Sequence, residues 1–595
     1  MSKIEHIFNQ HNANKNKAFI NSQEFKIDYI KDNKKGFESK KSSYITDFDK
    51  KYYEALVPSE NSIISKYDDE KIDDLLSKLS EDILMISGDF WGIQKFIFNG
   101  LTSKKASKIL RSRSAIVQLF TYVVVDIIKK EFKNSDAVLF GAGKFMILAS
   151  KEEDYESKIK NIQEKLDSYF LDKYFGQNGL ILSYSLTSRE NISNQESSQM
   201  KEDLLKLAKD NELRKLRKFD IKNLNFEKLV SKHLVEDNEG VCQYCNKRTI
   251  TNKDEECCSI CHNEILLGTF LTKYQYIEIL KEKKSNAIKI FDSYFVNFSN
   301  TKPISFENSF DISSKKYEDI PKWSLGSYIP RFENSDIKTF EELAKNSSGL
   351  IALKADIDKL GDTFRDYYMT SFKKFNRLSR EIDFFFSDYA THIIEEEFKN
   401  CYIIFAGGDD LFLIGEYKEV VSFAKRLREE FYRFSLQKVT ISMGLVMFKS
   451  STPINYISRL TDEAEARAKS VLDNNQKDRD GIDIFSIPMK FVEFFDIESR
   501  FKEISDYLES KNIDTTTFYY RLLDFCDMKK NILKDVKNAM WKSKLRYIIT
   551  RNIKPDDSFN IYEKLHSLIE KYDEKLKPSI FLKIYLNRDK KGEKR

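Results

Sequence analysis

The chain has 595 residues, of which 41% are hydrophobic and 13% aromatic, a composition that supports several folded domains and excludes general disorder. Its 99 Lys and Arg residues nearly balance its 94 Asp and Glu residues, leaving a net charge of +5 and no overall sign of a nucleic-acid-binding protein. Because the N-terminus has no apolar signal-peptide core and the best apolar stretch, 115–128, is too short to span a membrane, we expect a cytoplasmic protein with no membrane segment.

The N-terminal segment 1–80 is polar and irregular and permits no structural prediction. Regular patterns begin at residue 81, with four predicted strands at 83–86, 137–140, 145–148 and 180–184. The first strand ends near Asp89 and is followed by a long helical stretch, and the middle two flank the turn Gly141-Ala142-Gly143-Lys144. The order β-α-β-β-α-β predicts a ferredoxin-like unit over 81–218.

The same order recurs over 347–490, with strands predicted at 350–353, 402–405, 411–414 and 439–443. The first strand leads to Asp356, and the middle two flank the turn Gly407-Gly408-Asp409-Asp410. Asp89 precedes Gly141 by 52 positions, and Asp356 precedes Gly407 by 51. Ser183 and Ser442 in the last strands precede Lys209 and Lys469 by 26 and 27 positions. These landmarks predict an internal duplication; two unrelated α/β segments are the alternative.

A cysteine cluster lies between the two copies, in the segment 219–346. Cys242-x-x-Cys245 and Cys258-x-x-Cys261 are separated by 12 residues in polar surroundings. Four thiolates at this spacing suit one structural Zn²⁺ in a closed tetrahedral site. Cys257 could replace Cys258, but only Cys258 restores the two-residue gap. We predict a zinc-binding helical linker domain; reduced core cysteines are the alternative.

The tail of the chain changes to amphipathic helical patterns, such as 501–508 and 518–526. These patterns predict a C-terminal helical domain over 491–595.

Three acids of the second copy are predicted to form a catalytic metal site. The strand that ends at Asp356 is adjacent to the hairpin that carries Asp409 and Asp410 in a ferredoxin-like sheet, so the carboxylates can share two Mg²⁺ or Mn²⁺ ions. Such ions would activate a ribose 3′-hydroxyl and stabilise the leaving pyrophosphate. Gly407 and Gly408 would let the backbone approach a phosphate, and the carbonyl of Ile357 is a further candidate ligand. A solvated hairpin turn is the alternative.

Lysines near this site are candidates for binding a triphosphate. Lys469, Lys477 and Arg479 follow the second copy's last predicted strand, although a solvated helix face is the alternative. In the first copy, Gly141 and Gly143 retain the flexible turn without the acids, so we predict that this half positions the other nucleotide. A decayed copy that serves only as a scaffold is the alternative.

Together these features resemble the large, polymerase/cyclase-like subunit of type III CRISPR effector complexes, most closely the III-A form. The matching segments, in the family's order, are 88–98, 110–114, the cysteine cluster, 354–361 and the Gly-Gly-Asp-Asp turn. The resemblance implies an α+β fold with two ferredoxin-like palm domains of the nucleotide-cyclase type, a zinc-containing helical insert and a C-terminal helical domain.

The resemblance also implies an activity. Family members join ATP through 3′-5′ linkages into cyclic oligoadenylates when target RNA binds the complex. By this analogy Asp356, Asp409 and Asp410 hold the metal ions, the second palm carries the donor ATP, and the first carries the acceptor. The implied partners are guide RNA and the other subunits of the complex, with target RNA as the activator.

Two features depart from the family pattern. None of the six histidines is followed by Asp, and 1–80 is shorter than a histidine-aspartate nuclease domain, so we expect no DNase activity of that type. Trp91 occupies a position where a small residue is expected, which leaves open a synthase that joins AMP to an acceptor other than ATP. A stand-alone enzyme of the diguanylate-cyclase type and a catalytically silent scaffold are further alternatives.

Overall fold

The computed structural model describes most of the chain from residue 69 to residue 592. Residues outside the description are 1–68, 99, 102–104, 142, 195, 218, 220–239, 306–307, 313–322, 324, 326–327, 335, 346, 436–438, 472–478, 512, 514, 554 and 593–595. Most of the segment 1–80, and Lys477, therefore lie outside the described residues. Within the part described, none of the helices combines the length and the apolar character needed to cross a bilayer.

The first sheet is a four-stranded antiparallel sheet with the order β2-β3-β1-β4. Its region contains α1 (Asp69–Lys78), β1 (Asp82–Trp91), α2 (Ile93–Phe98), α3 (Ala106–Glu131), β2 (Asp136–Gly141), β3 (Lys144–Ser150), α4 (Tyr155–Tyr174), β4 (Gly179–Ser188), α5 (Arg189–Ser193) and α6 (Ser198–Leu216). Leu84 and Ile86 of β1 share a core with α3, whereas Ile83 and Met85 share one with α1 and α6. Both faces are covered, so every residue of β1 after Asp82 is buried.

The insert between the two copies contains a sheet as well as helices. Its elements are α7 (Ser259–Lys273), β5 (Tyr276–Leu280), β6 (Ala287–Phe291), β7 (Tyr294–Ser299), β8 (Ser309–Asp311) and α8 (Phe340–Ala344). The strands form a sheet in the order β6-β7-β5-β8. The prediction of a helical linker was wrong here, because lysine-rich turns conceal short alternating patterns. Ile288 and Ile290 are buried, for example, and Lys289 between them is exposed.

The second sheet repeats the order of the first and extends it to β10-β11-β9-β12-β13-β14. Its region contains β9 (Leu350–Ile357), α9 (Leu360–Thr363), α10 (Phe372–Phe384), α11 (Ala390–Glu397), β10 (Cys401–Gly407), β11 (Asp410–Glu416), α12 (Tyr417–Phe434), β12 (Ile441–Phe448), α13 (Ile454–Lys469), β13 (Gly481–Ile484) and β14 (Ile487–Lys490). Single π-helical turns at Phe364–Tyr368 and Phe385–Tyr389 follow α9 and α10. The predicted pair of palm-like sheets is therefore present.

The strand register corrects one landmark of the duplication. Ser442 of β12 lies opposite Asp356 of β9. In the first sheet Ser183 lies opposite Ser87, and Asp89 lies opposite Ile181. The two serines are thus two positions out of equivalence, although the strand order of the two sheets agrees.

The C-terminal region is helical, as predicted. It contains α14 (Phe491–Ser510), α15 (Thr516–Lys530), α16 (Trp541–Asn552), α17 (Pro555–Tyr572) and α18 (Lys577–Gly592). Trp541 is fully buried, and its ring stacks on His566 with centroids 5.1 Å apart. Residues of these helices form one continuous core with Ile482 and Met489 of the second sheet, so the tail is packed onto this sheet.

Candidate active site

The three aspartates of the second copy lie at one edge of its sheet. Asp356 near the end of β9 and Asp410 at the start of β11 are directly opposite in the antiparallel ladder. Residues opposite each other in this way have Cβ atoms about 4.5–5.5 Å apart. Gly407 pairs with Asp410, so Gly408 and Asp409 form the turn. Gly408 has a φ of +61°, a conformation that glycine adopts without strain.

The environment of these carboxylates favours a cation. Burial, together with the negative charge of Asp409, raises the pKa of Asp410 to about 7. Adjacent carboxylates in a partly buried site repel each other unless a positive charge lies between them. Oxygen ligands of this type are those that Mg²⁺ and Mn²⁺ prefer, so the donor set fits the predicted divalent ions.

Two lysines surround the acids. Lys469, the last residue of α13, contacts the carboxylate of Asp356 and lies 2.5 Å from Glu465. Burial, with the nearby Lys354 and Arg479, lowers the pKa of Lys469 to about 8, while its contact with Asp356 favours the charged form. Lys469 therefore lies at the predicted site, whereas the structure does not describe Lys477.

Lys354 is a second lysine of the site, and it was not predicted as a site residue from the sequence. Its ammonium on β9 lies 2.9 Å from Asp462 and 3.2 Å from Glu465. Burial acts to lower the pKa of Lys354, but the two acids more than offset this effect and raise it. Gln94 of the first sheet's region joins the group: with its amide oriented to satisfy both neighbours, its oxygen accepts from Lys354 at 2.7 Å and its nitrogen donates to Asp462 at 3.0 Å. The sequence did contain a signal: Lys354 and Asp356 are two positions apart on one strand, so their side chains lie on the same face of the sheet.

The first sheet contains a related arrangement in which a lysine takes the place of one acid. Asp89 of β1 lies opposite Lys144 of β3, as Asp356 lies opposite Asp410. Lys215 of α6 lies 2.9 Å from Asp89, in the way that Lys469 contacts Asp356. The counterpart of Lys469 is therefore Lys215, and the equivalence with Lys209 suggested by the sequence was wrong.

The two hairpin tips face each other. Lys144 Nζ of the first hairpin lies 4.0 Å from Asp409 Oδ1 of the second. Asp383 of α10 accepts a hydrogen bond from the backbone N–H of Gly408 at 2.7 Å. A Cβ atom on Gly141 would lie 3.2 Å from the same carboxylate. Gly141 therefore lies beside the acidic turn, and Gly143, with a φ of +83°, completes the first hairpin turn.

Asp358 has a structural position although it belongs to the same motif as Asp356. It is 4% exposed and accepts hydrogen bonds from Thr440 Oγ1 at 2.8 Å, Ser442 Oγ at 2.8 Å and the backbone N–H of Asp480 at 3.1 Å. Burial raises the pKa of Asp358, and these hydrogen bonds oppose the rise. The side chain of Ile357 is 4% exposed and lies in the core. Asp358 thus anchors the end of β9 beside the site.

The four predicted zinc ligands come together in the insert. Cys242, Cys245, Cys258 and Cys261 are all buried, and their sulfur atoms lie within 4.8 Å of one another. The sulfurs of Cys245 and Cys258 are 4.0 Å apart. Sulfur atoms at about 2.3 Å from a tetrahedral zinc would be about 3.8 Å apart, so this donor set fits Zn²⁺. Cys257 is not a member of the set.

Family models match both sheets. A model described as Cas10/Cmr2, second palm domain, matches residues 350–481, which include the three aspartates. A model described as Csm1 subunit domain B matches residues 82–232.

Similar proteins carry related descriptions. A curated relative from Thermococcus onnurineus (strain NA1), described as "CRISPR system single-strand-specific deoxyribonuclease Cas10/Csm1 (subtype III-A)", is 26% identical over 472 residues, which cover 69% of this chain and 59% of the relative. The chain thus spans less than two thirds of that protein's length.

Solved structures match the fold. A Csm1–Csm4 cassette in complex with one ATP has a TM-score of 0.63 at 19% identity and covers 85% of this chain and 70% of its own. A Csm1–Csm4 cassette in complex with cA3 has a TM-score of 0.60 at 18% identity, with coverages of 82% and 69%. At these identities the likeness establishes the architecture of the chain.

Proposed function

Since the chain belongs to the Cas10/Csm1 family, we propose that its second sheet carries the active site of a nucleotidyltransferase that converts ATP into cyclic oligoadenylate. The observation that carries this proposal is the pairing of Asp356 with Asp410 across adjacent strands, with Asp409 in the turn between the hairpin strands. Solved relatives with the same fold were captured with ATP and with cA3.

The metal ligands in this proposal are Asp356, Asp409 and Asp410. When bound, two Mg²⁺ or Mn²⁺ ions would supply an activated 3′-hydroxyl and stabilise the charge on the leaving pyrophosphate. The ions would also offset the two effects that raise the pKa of Asp410, its burial and the negative charge of Asp409.

The chain's own residues orient the nucleotides. The backbone at Gly407 and Gly408 gives a phosphate close access, because a Cβ on Gly408 would meet no atom within 4 Å. Lys469 stands beside Asp356, where its charge can bind triphosphate oxygens as a compact cation. Asp383 holds the turn by accepting the N–H of Gly408.

The first sheet is proposed to hold the acceptor nucleotide. Its hairpin faces the acidic turn, with Lys144 4.0 Å from Asp409 and Gly141 against Asp383. Trp91, the departure from the family pattern, is 8% exposed and packs against Gly179 and Phe219. Because Trp91 is packed in the core, it gives no reason to prefer an acceptor other than ATP.

We further propose that the activity operates inside a type III CRISPR complex, with guide RNA and other subunits as partners and target RNA as the activator. The family assignment supports this setting, as does the match to Csm1–Csm4 structures. The absence of a His-Asp pair in the sequence supports the further proposal that the chain lacks DNase activity of the histidine-aspartate type.

The test is incubation of the assembled complex with labelled ATP and Mg²⁺, with and without target RNA, followed by mass spectrometry. We expect 3′-5′-linked cyclic oligoadenylate only with target RNA. D356N, D409N and D410N should abolish the product without preventing assembly, because one metal cradle is lost and no core is disturbed. D524N, in an exposed acid of α15, is the matched control.

Other products would support the alternatives. GTP products formed without RNA would indicate an enzyme of the diguanylate-cyclase type. AMP joined to another molecule would indicate a different acceptor. No product from either nucleotide, with all partners present, would indicate a scaffold and contradict the proposal.

A further inference from the structure

Cys257 belongs to a second group of metal-binding side chains beside the four-sulfur cluster. One ligand atom each from Glu255, Cys257 and His262 lies within 4.8 Å of the other two. Glu255 Oε2 is 3.0 Å from His262 Nδ1 and 3.8 Å from Cys257 Sγ. At ordinary ligand distances, a tetrahedral zinc ion would place these pairs about 3.4 Å and about 3.6 Å apart. The group is therefore close to zinc-binding geometry.

The backbone holds the three side chains in place. Asn252 and Cys257 exchange two backbone hydrogen bonds, at 2.9 Å and 3.1 Å, which close the turn that carries Glu255. The N–H of Glu255 donates to Asn252 Oδ1 at 3.1 Å, which fixes the glutamate backbone in the same turn. His262 sits in the first turn of α7, where its N–H donates to the carbonyl of Cys258 at 2.9 Å. A metal ion would thus meet ligands that are already ordered.

The charges of the group also suit a divalent ion. Lys105 lies 3.1 Å from Glu255 Oε1, the oxygen that does not face Cys257 and His262. Oε2 therefore remains directed into the group, while Lys105 orients the carboxylate from outside, as second partners of metal ligands do. One carboxylate and one thiolate balance a charge of +2. The thiol proton of Cys257 would pass to solvent when the ion binds.

We propose that Glu255, Cys257 and His262 bind a second zinc ion, next to the four-cysteine site and separate from it. Cysteine, histidine and glutamate are all ordinary zinc ligands, and three protein ligands leave one position for water. Solvent can supply it, because the side chains of Glu255 and His262 are 33% and 34% exposed. The sequence supports two adjacent centres: Cys257 precedes Cys258, and His262 follows Cys261.

The test is the zinc content of the full-length chain, purified with added Zn²⁺ and dialysed against metal-free buffer. We expect two zinc ions per chain, one for each ligand group. H262A, C257S and E255Q should each lower the content to one. E256Q, which changes the neighbouring exposed glutamate, should leave two and is the matched control.

Replacement of zinc by Co²⁺ gives a second readout. The visible spectrum should contain a four-sulfur component, unchanged in H262A, and a component of mixed ligands that H262A removes. Circular dichroism melting establishes that each variant is folded, and E255Q, the mildest change, decides the outcome if H262A or C257S does not fold. One zinc per folded wild-type chain, or two that survive the folded variants, would overturn the proposal.

Discussion

The hydrogen bond from Gly408 N–H to Asp383 gives the sharpest test of how the acidic turn is held. Asp383 is on α10, outside the turn and outside the predicted metal ligands, and accepts this bond at 2.7 Å. A hydrogen bond to a charged group contributes about 1.5–3 kcal/mol. If this energy positions Asp409 and Asp410 in the transition state, D383A should lower kcat by about 10- to 150-fold.

The assay is RNA-activated ATP conversion, with kcat and KM measured separately. D383N retains an acceptor oxygen and should stay within a few-fold of wild type. Because the turn positions the carboxylates for the chemical step, D383A should lower kcat and leave KM nearly unchanged. Wild-type kcat in folded D383A, or equal impairment of D383N and D383A, would refute the anchoring role.

Three further predictions concern the rest of the molecule. R113M should destabilise the chain by about 3–5 kcal/mol in urea unfolding, because Glu264, which is 2% exposed and lies 3.0 Å from Arg113 Nε, would lose this ion pair inside the protein. Restored stability in R113M/E264L would support this cause, and an unchanged unfolding midpoint in R113M would contradict it. Burial raises the pKa of Asp167 to about 6, so the folded state favours the protonated acid and loses stability as pH rises from about 4 to about 6. D167N should therefore raise Tm at pH 7 and not at pH 3.5, with E153Q, in an exposed acid, as the control; equal shifts at both pH values would exclude titration. C242S should lose the structural zinc and lower Tm, because the remaining three thiols cannot close the tetrahedral site; full zinc content in C242S would contradict the ligand set.

Much of the site could be predicted because local patterns determine it. Continuous apolar runs on either side of a Gly-Gly-Asp-Asp turn favour a hairpin of buried strands, and the β-α-β-β-α-β order places the upstream strand that carries Asp356 beside this hairpin. Likewise, the spacing of the four cysteines was sufficient to predict their convergence.

Other features depend on long-range contacts that a single sequence does not contain. Asp383 reaches Gly408 because α10 crosses the hairpin, and Lys144 approaches Asp409 because two sheets are packed together. The misassigned counterpart of Lys469 has the same origin: sequence spacing favoured Lys209, but the packing of α6 on the sheet brings Lys215 within 2.9 Å of Asp89. The sheet of the insert was missed because its strands are short and surrounded by lysine.

The most direct measurement is anomalous diffraction from crystals of the complex soaked with Mn²⁺ and a non-hydrolysable ATP analogue. The account predicts manganese between Asp356 and the Asp409-Asp410 turn, lost in D356N and D410N and retained in D89N, which changes the equivalent strand residue of the first sheet. Manganese beside Asp89, or a nucleotide bound with no metal at Asp356, would contradict it.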